Sequence, residues 1–225
     1  MLLKLIQNLC QYINPNTCLA CKLIIEPSLH YLCLSCQYQL LSYEESPWSD
    51  KRMSHYNLEV SDVFVLYRYS QNSPIQQLIK SLKYSRQEQV AKYLFLHANR
   101  RLTLPQTIDL ICCVPIHKKK RKKRGYNQLS LFCKLLAKQL QRPFAEDLFI
   151  KNKERKSQSE LNRSSREKNE SFEISINNHY LDHHKNLLIV DDLITTGATM
   201  RNMLASIPKH NSIKISILCL ASSVD

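Results

Sequence analysis

The chain has 225 residues, 44% of them apolar, and a formal net charge of +13 at neutral pH. This size and composition predict a globular protein with one ordinary domain and a small additional module. The positive charge says nothing about fold, but it favours polyanionic partners such as nucleic acid, phosphates or anionic lipid. No stretch approaches the roughly 18 consecutive apolar residues of a membrane span. We therefore expect no membrane insertion and a cytoplasmic location.

The opening MLLKLIQNLC places four apolar side chains on one helical face: Leu2, Leu5, Ile6 and Leu9. This pattern predicts a short docking helix. The segment is too short to cross a bilayer, and it lacks the small-residue cleavage site of an export signal.

Four of the nine cysteines form two C-x-x-C pairs separated by eleven residues: Cys18, Cys21, Cys33 and Cys36. Two tight turns of this kind supply the four thiolates that tetrahedral zinc prefers, so we predict a structural Zn2+ site. The alternative is a coincidence of two turns, and redox activity lacks the strand and helix context it needs. Lys22 stands where such zinc knuckles often carry glycine. The remaining cysteines are interpreted as buried small hydrophobic residues: Cys10, Cys112, Cys113, Cys133 and Cys219.

A boundary follows the cysteine module at Pro47, Trp48 and a polar stretch, which predicts domains at 1–50 and 51–225. Beyond it, strand and helix patterns alternate: a strand at 59–69, a helix opened by Ser73 and Pro74, a helix at 87–101, a strand at 107–115, a basic loop at 118–124, a helix from Asn127, strands at FEISI, LLIV and IKISILCLA, and a helix at about 199–207. Several strands are apolar on both faces. This order predicts an α/β fold with a mostly parallel sheet.

The stretch LLIVDDLITTGATM ends an apolar strand in two adjacent carboxylates, Asp191 and Asp192, and one of only two glycines in the chain follows. Ligands of parallel sheets bind at the carboxyl ends of strands. Carboxylates accept hydrogen bonds from a vicinal diol, whereas a glycine and threonine loop at a helix N-terminus attracts phosphate. A diol beside a phosphate is a ribose 5-phosphate. The alternative is that the acids cap a turn and the threonines cap the helix.

The same stretch matches the phosphoribosyl pyrophosphate (PRPP) motif of type I phosphoribosyltransferases at every position from LLIV to GAT. Three further segments resemble the ComF family of competence proteins, which join a four-cysteine zinc module to this domain: VPIHKKKRKKRGYNQ at 114–128, a sparse set of residues within 155–172, and a helix ending in LKY at 82–84. The resemblance covers about residues 15 to 222. It implies a type I phosphoribosyltransferase fold with an N-terminal zinc module.

The resemblance also implies roles for particular residues. The PRPP site would consist of the acids and the loop after them: Asp191, Asp192, Leu193, Ile194, Thr195, Thr196, Gly197, Ala198 and Thr199. Arg124, Gly125 and Tyr126 resemble the pyrophosphate loop, where Mg2+ binds together with PRPP, although Gly125 alone also suits a simple turn. The polar segment at about 150–170 would form a mobile hood, with Arg155 and Arg166 reaching the phosphates.

Two functions are consistent with these features. The first is an accessory protein of natural transformation that binds single-stranded DNA and holds PRPP, with a helicase-like ATPase and other competence proteins as partners. Its DNA-binding residues would be seven consecutive cations: Lys118, Lys119, Lys120, Arg121, Lys122, Lys123 and Arg124. The second is a phosphoribosyltransferase acting on an unidentified acceptor, for which no catalytic residue can be named. A solvated basic loop without a fixed partner is the alternative for the cations.

Overall fold

The computed structural model describes most of the chain: residues 15–26, 28–29, 31–42, 58–83, 88–100, 102–117, 119, 121–122, 125–152, 173–208 and 212–223. The predicted docking helix at 1–10 and the predicted boundary at Pro47 and Trp48 lie outside these residues, as does the predicted hood beyond residue 152.

The centre of the fold is a five-stranded sheet built from β1 (Asp62–Arg68), β2 (Leu110–Cys113), β3 (Phe144–Ala145), β6 (Asn186–Ile194) and β7 (Lys214–Ser222). Its strand order is β1-β7-β6-β2-β3, and every neighbouring pair is parallel. The inner strands are buried on both faces, which explains their continuous apolar sequences. The predicted α/β architecture with a mostly parallel sheet is confirmed.

Among the residues that the structure describes, six helices of five residues or more accompany the sheet: α1 (Leu34–Ser42), α2 (Pro74–Leu82), α3 (Glu88–Asn99), α4 (Ser130–Leu140), α5 (His179–His183) and α6 (Ala198–Ala205). The start of α2 follows the predicted pattern, because the Ser73 hydroxyl accepts a hydrogen bond from the Gln76 amide and Pro74 occupies the first turn. Its predicted apolar face is buried: Ile75, Leu78, Ile79 and Leu82.

Strand predictions were wrong in detail where the strands are short. FEISI supplies β5 (Ile174–Ile176), which pairs antiparallel with β4 (Phe149–Lys151) in a separate two-stranded ribbon rather than in the parallel sheet. All three residues of β5 are only half-buried, so the apolar alternation reflects one covered face. β3, β4 and α5 were not predicted, because elements of two to five residues are too short to show a period in the sequence.

The basic block at 118–124 was predicted as a loop, and this is wrong for the part of it that the structure describes. Lys119, Arg121 and Lys122 have helical backbone, and the Arg121 amide donates to the His117 carbonyl over 2.9 Å. Lysine and arginine are good helix formers, and their exposed side chains remain in water in either conformation. The charge run therefore marks an exposed segment without specifying its backbone.

The cysteine module shares its hydrophobic cluster with the larger part of the chain. Cys18, Leu32 and Leu40 belong to the same buried cluster as the apolar faces of α2 and α3. Tyr31 of the module stacks on Tyr93 of α3, with 5.2 Å between ring centroids. The module is therefore packed against α2 and α3.

Candidate functional site

The carboxylate pair, Asp191 and Asp192, lies in the part of β6 that extends beyond the end of the neighbouring strand β2. β2 ends at Cys113, which is paired with Val190, whereas β6 continues to Ile194 alongside β7. Asp191 and Asp192 therefore follow directly the last residue of β6 that pairs with β2. Each retains only 8% of its accessible surface. Both acids thus lie within the carboxyl-terminal part of β6, rather than after its last residue as the motif predicted.

Asp191 and Asp192 are withdrawn from water, and this desolvation disfavours a negative charge on a carboxyl group. The pKa of Asp191 lies well above its ordinary value because the side chain is desolvated and because Asp192 stands beside it, while Lys83 opposes the shift. The Asp191 carboxylate also accepts a hydrogen bond of 2.7 Å from the Asp192 amide. Burial and the neighbouring acid therefore both disfavour the charged form of Asp191.

Asp192 receives its compensation from two distant parts of the chain. Lys83, the C-cap residue of α2, places its ammonium nitrogen 3.6 Å from Asp192 Oδ2. Gln128 Nε2 donates to the same oxygen over 3.3 Å. Neither residue was predicted as part of the site, although both lie in segments that resemble the ComF family. The acid pair could have indicated that such residues exist, because two adjacent buried acids require hydrogen-bond donors or cations nearby.

The loop after β6 turns sharply into α6. Gly197 precedes the helix with a φ of 72°, a left-handed conformation that favours glycine, and it is buried. The Arg201 guanidinium donates to the Thr196 carbonyl over 2.8 Å, and the Ser223 amide donates to the Ile194 carbonyl over 3.1 Å. Thr195 and Thr196 are exposed. The loop is therefore fixed at its base, while its threonines face solvent.

The segment predicted to bind pyrophosphate is anchored to the end of β2. Gly125 has a φ of 82° and open space where a Cβ atom would stand. The Asn127 side chain, 3% exposed, donates to the Val114 carbonyl over 2.9 Å and accepts from the Leu129 amide. The Tyr126 hydroxyl donates to the Leu82 carbonyl at the end of α2, 3.3 Å away. This segment and α2 therefore meet beside the carboxylate pair.

The four cysteines of the module come together as the spacing predicts. Their sulfur atoms all lie within 4.8 Å of one another: Cys18, Cys21, Cys33 and Cys36. Burial raises the pKa of Cys18, but backbone hydrogen bonds outweigh it and bring the value to about 7, whereas burial and the neighbouring sulfurs raise the pKa of Cys36. Four thiol groups converging on one point fit a tetrahedral zinc ion, which would hold all four as thiolates.

The backbone conformation at Lys22 explains why zinc knuckles often have a glycine at this position. Lys22 has a φ of 66°, and its amide donates to the Cys18 carbonyl over 2.9 Å to close the first turn. Its ammonium group also donates to the Leu19 carbonyl, 2.9 Å away. That bond offsets part of the cost of a left-handed conformation in a residue with a side chain.

Several predicted residues fall outside the described part of the chain: Lys118, Lys120, Lys123, Arg124, Arg155 and Arg166. Four of the five other cysteines are buried as predicted, Cys112, Cys113, Cys133 and Cys219, and Cys10 lies outside the described residues. Among the described helices, none has the length and apolar character needed to span a membrane.

The chain is similar in sequence to proteins of DNA utilization and competence. It is 27% identical over 158 residues to the DNA utilization protein YhgH of Escherichia coli K12, a match that covers 67% of this chain and 68% of that protein. It is 23% identical to Competence protein F of Haemophilus influenzae, and this match covers 91% of this chain and 96% of that protein. These relatives confirm the resemblance to competence proteins that the motifs indicated.

Solved structures of adenine phosphoribosyltransferases are also similar. The enzyme from Trypanosoma brucei, in complex with AMP, pyrophosphate and ribose-5-phosphate, matches 73% of this chain and 86% of its own with 14% identity and a TM-score of 0.36. The enzyme from Leishmania donovani matches 84% of this chain and 80% of its own with 14% identity and a TM-score of 0.33. None of the protein-family models compared with the chain matches it.

The cysteine cluster predicts a zinc-dependent module. Purified protein should contain about one zinc ion per chain, and Cys33→Ser should remove the metal and unfold the module, because a structural zinc site contributes directly to folding. Metal analysis and tryptic digestion measure both effects. Cys219→Ser is a control from a buried cysteine outside the cluster. Well-folded wild-type protein without metal would contradict the assignment.

The raised pKa of Asp191 predicts that its charge costs stability. When the pKa of a carboxyl group is higher in the folded than in the unfolded state, the folded protein loses stability as pH rises from the unfolded pKa towards the folded pKa. Asp191→Asn keeps an oxygen for the Asp192 amide and should raise the unfolding temperature at pH 7, by roughly 2–4 °C for each kcal/mol relieved. The difference should vanish below about pH 3, where the wild-type carboxyl is protonated in both states.

Thermal unfolding of the variant and wild type over this pH range provides the measurement. Asp182→Asn, the same change at an exposed site, should leave the unfolding temperature nearly unchanged. If Asp191→Asn is less stable than wild type at pH 7, the Asp191 charge is fully compensated in the folded protein.

Proposed function

We propose that this chain is a cytoplasmic accessory protein of DNA uptake that binds single-stranded DNA and holds PRPP at Asp191 and Asp192. The similar proteins reported above are named for DNA utilization and competence, which supports a role in handling DNA. A helicase-like ATPase and other competence proteins are its proposed partners. The observation that carries the PRPP part is the buried carboxylate pair directly beside the loop of Gly197.

The two parts of this pocket suit the two unlike ends of a ribose 5-phosphate. Asp191 and Asp192 accept hydrogen bonds from the vicinal hydroxyls of the sugar, and such charge-assisted bonds are worth about 1.5–3 kcal/mol each. The exposed hydroxyls of Thr195 and Thr196, together with the backbone amides that lead into α6, suit the 5-phosphate. The left-handed conformation of Gly197 makes the tight turn between them.

Lys83 and Gln128 compensate the carboxylate of Asp192 by direct contact. Both bind Oδ2 of Asp192, and the Lys83 side chain remains 40% exposed. An ammonium group at the rim of the pocket also attracts the polyphosphate of an approaching ligand. The exposed Gly125 lies in the neighbouring segment, where backbone amides can approach a pyrophosphate closely.

Mg2+ would accompany PRPP, since hard cations pair with phosphate and carboxylate oxygens. The oxygens of Asp191 and Asp192 fit that preference, and the ion would neutralise part of the pyrophosphate charge.

The basic block supports binding to a nucleic acid strand. Seven consecutive cations exceed what a single pyrophosphate requires, and Lys119, Arg121 and Lys122 are exposed. Each lysine or arginine that neutralises a backbone phosphate releases condensed counterions, which drives association with a polyanion. A half-buried tyrosine, Tyr126, follows the block and offers an aromatic ring beside it.

Phosphoribosyl transfer to an unidentified acceptor is the second candidate. The observation that favours it is the raised pKa of Asp191, since perturbed carboxyl groups concentrate at catalytic sites. Such a reaction requires an acceptor bound at the anomeric carbon and commonly a general base. A crystal soaked with PRPP and magnesium would reveal whether an acceptor-sized space faces that carbon.

The carboxylates are expected to carry most of the PRPP affinity. Asp191→Ala or Asp192→Ala should weaken binding about tenfold or more, because each substitution removes charge-assisted hydrogen bonds to the ribose. Isothermal titration calorimetry with PRPP and magnesium measures the loss, and Asp182→Ala is the matched control on an exposed carboxylate. Wild-type affinity in the double variant would remove the assignment of the diol.

The basic block is expected to carry the salt dependence of DNA binding. Log affinity for a single strand should fall against log salt concentration by about 0.7 per phosphate contact. Replacing Lys119, Lys120, Lys122 and Lys123 with glutamine should therefore weaken binding strongly and flatten the slope by up to about 3. The affinity for PRPP should change far less, because the carboxylates and the loop of Gly197 remain.

Fluorescence anisotropy with a labelled oligonucleotide at several salt concentrations provides this test, run beside a PRPP titration. Replacing Lys134 and Lys138, exposed cations on α4, with glutamine controls for a general loss of positive charge. If the block variant keeps its DNA affinity and slope but loses PRPP, the block serves the small ligand and the transferase is favoured.

A further inference from the structure

A second cavity lies at the same edge of the sheet as the carboxylate pair, but across β2 from it. Its volume is about 260 Å³, and it lies between the chain that follows β2, the turn between β3 and β4, and β4 itself. Because β2 and β3 are parallel neighbours, the segments that follow them emerge side by side. The roles assigned above to the PRPP pocket use none of the residues in this turn or in β4.

The walls of this cavity combine apolar surfaces with balanced charge. Ile116 and Ile150 contribute apolar surface, and Ile150 is 37% exposed. Two cations, Arg121 and Lys151, stand with two acids, Glu146 and Asp147. A space with zero formal charge is a poor site for a free phosphate, in contrast to the basic block. It favours a neutral ligand that both donates and accepts hydrogen bonds.

Size limits that ligand to a small molecule or a part of a larger one. Sites for drug-sized molecules occupy roughly 300–1,000 Å³, so a cavity just below this range suits a single ring system. Two apolar walls and a guanidinium plane suit the flat faces of such a ring, and the carboxylates suit an amino group on its edge. A nucleobase has both properties.

Arg121 connects the cavity with the proposed path of a DNA strand. It belongs to the basic block, and its guanidinium group forms an ion pair with Glu146 at 3.3 Å, with 55% of the Arg121 side chain exposed. A strand whose phosphates follow the block therefore passes the opening of the cavity. Glu146 is oriented by this ion pair, and the Tyr180 hydroxyl donates to Asp147 over 2.7 Å.

We propose that this cavity is a nucleobase subsite, in which one base of a bound single strand enters between Ile116 and Ile150 and donates an exocyclic amino group to Glu146. The inference rests on the proposed binding of single-stranded DNA. It adds a preference among bases that phosphate contacts alone do not provide. Cytosine offers an amino donor at N4, whereas thymine has a carbonyl acceptor at the corresponding position, so the subsite prefers cytosine.

Homopolymers of cytosine and thymine of equal length test the preference, because both are pyrimidines of similar size. Wild-type protein should bind the cytosine strand about fivefold more tightly or better, the lower end of discrimination by base contacts. Glu146→Gln should remove most of that ratio. Glu59→Gln, the same change at an exposed residue before β1 and far from this edge, should leave the ratio unchanged.

A second variant tests the apolar wall separately from the charge. Ile150 is 37% exposed, so Ile150→Ala should cost little stability. It should weaken binding of both strands several-fold without changing the salt slope, because the phosphate contacts are intact. Anisotropy titrations at several salt concentrations supply the affinities and slopes.

The outcomes separate this inference from the function on which it rests. Binding of neither strand overturns both. Equal salt-dependent binding of the two strands by wild-type protein, or a cytosine preference that survives Glu146→Gln, overturns the subsite while DNA binding stands. Unchanged affinity in Ile150→Ala removes the apolar wall from the proposed contact.

Discussion

Two adjacent carboxylates, buried near the carboxyl end of the central strand β6, impose the main constraint on this structure. Neighbouring negative charges withdrawn from water repel each other, and they are tolerated only where cations and hydrogen-bond donors surround them. Here the compensation comes from Lys83 at the end of α2 and from Gln128 before α4. Two separate parts of the chain therefore converge on Asp192 of β6.

The sheet creates this edge through the unequal lengths of its strands. β6 lies between β7 and β2, and it extends beyond the last residue of β2 while remaining paired with β7. One side of the carboxylate pair thus rests on the parallel ladder with β7, and Gln128 reaches Asp192 from the segment that follows β2. Buried acids on a rigid strand are typical of a binding site, because proteins commonly accept locally destabilising groups at functional sites.

The cysteine module and the carboxylate site share a structural support. Leu32 and Leu40 of the module pack in the same cluster as Ile75 and Leu78 of α2, and the residue that caps α2 is Lys83. Packing of the module therefore supports the helix whose C-cap residue forms the ion pair with Asp192. The Tyr126 hydroxyl bound to the Leu82 carbonyl fastens the neighbouring segment to the same helix end. The four-cysteine module and the carboxylate site are linked by contiguous packing.

Features that depend on local spacing could be predicted from the amino-acid sequence. The two C-x-x-C pairs, the cap of α2 at Ser73, the apolar strands and the acid pair followed by Gly197 all rest on chain geometry within a few residues. The contacts between distant groups became visible only in the folded chain: Lys83 and Gln128 at Asp192, Arg121 at Glu146, and β5 with β4. Such contacts depend on strand register and helix packing. These are set by the burial of the whole core and leave no period in the sequence.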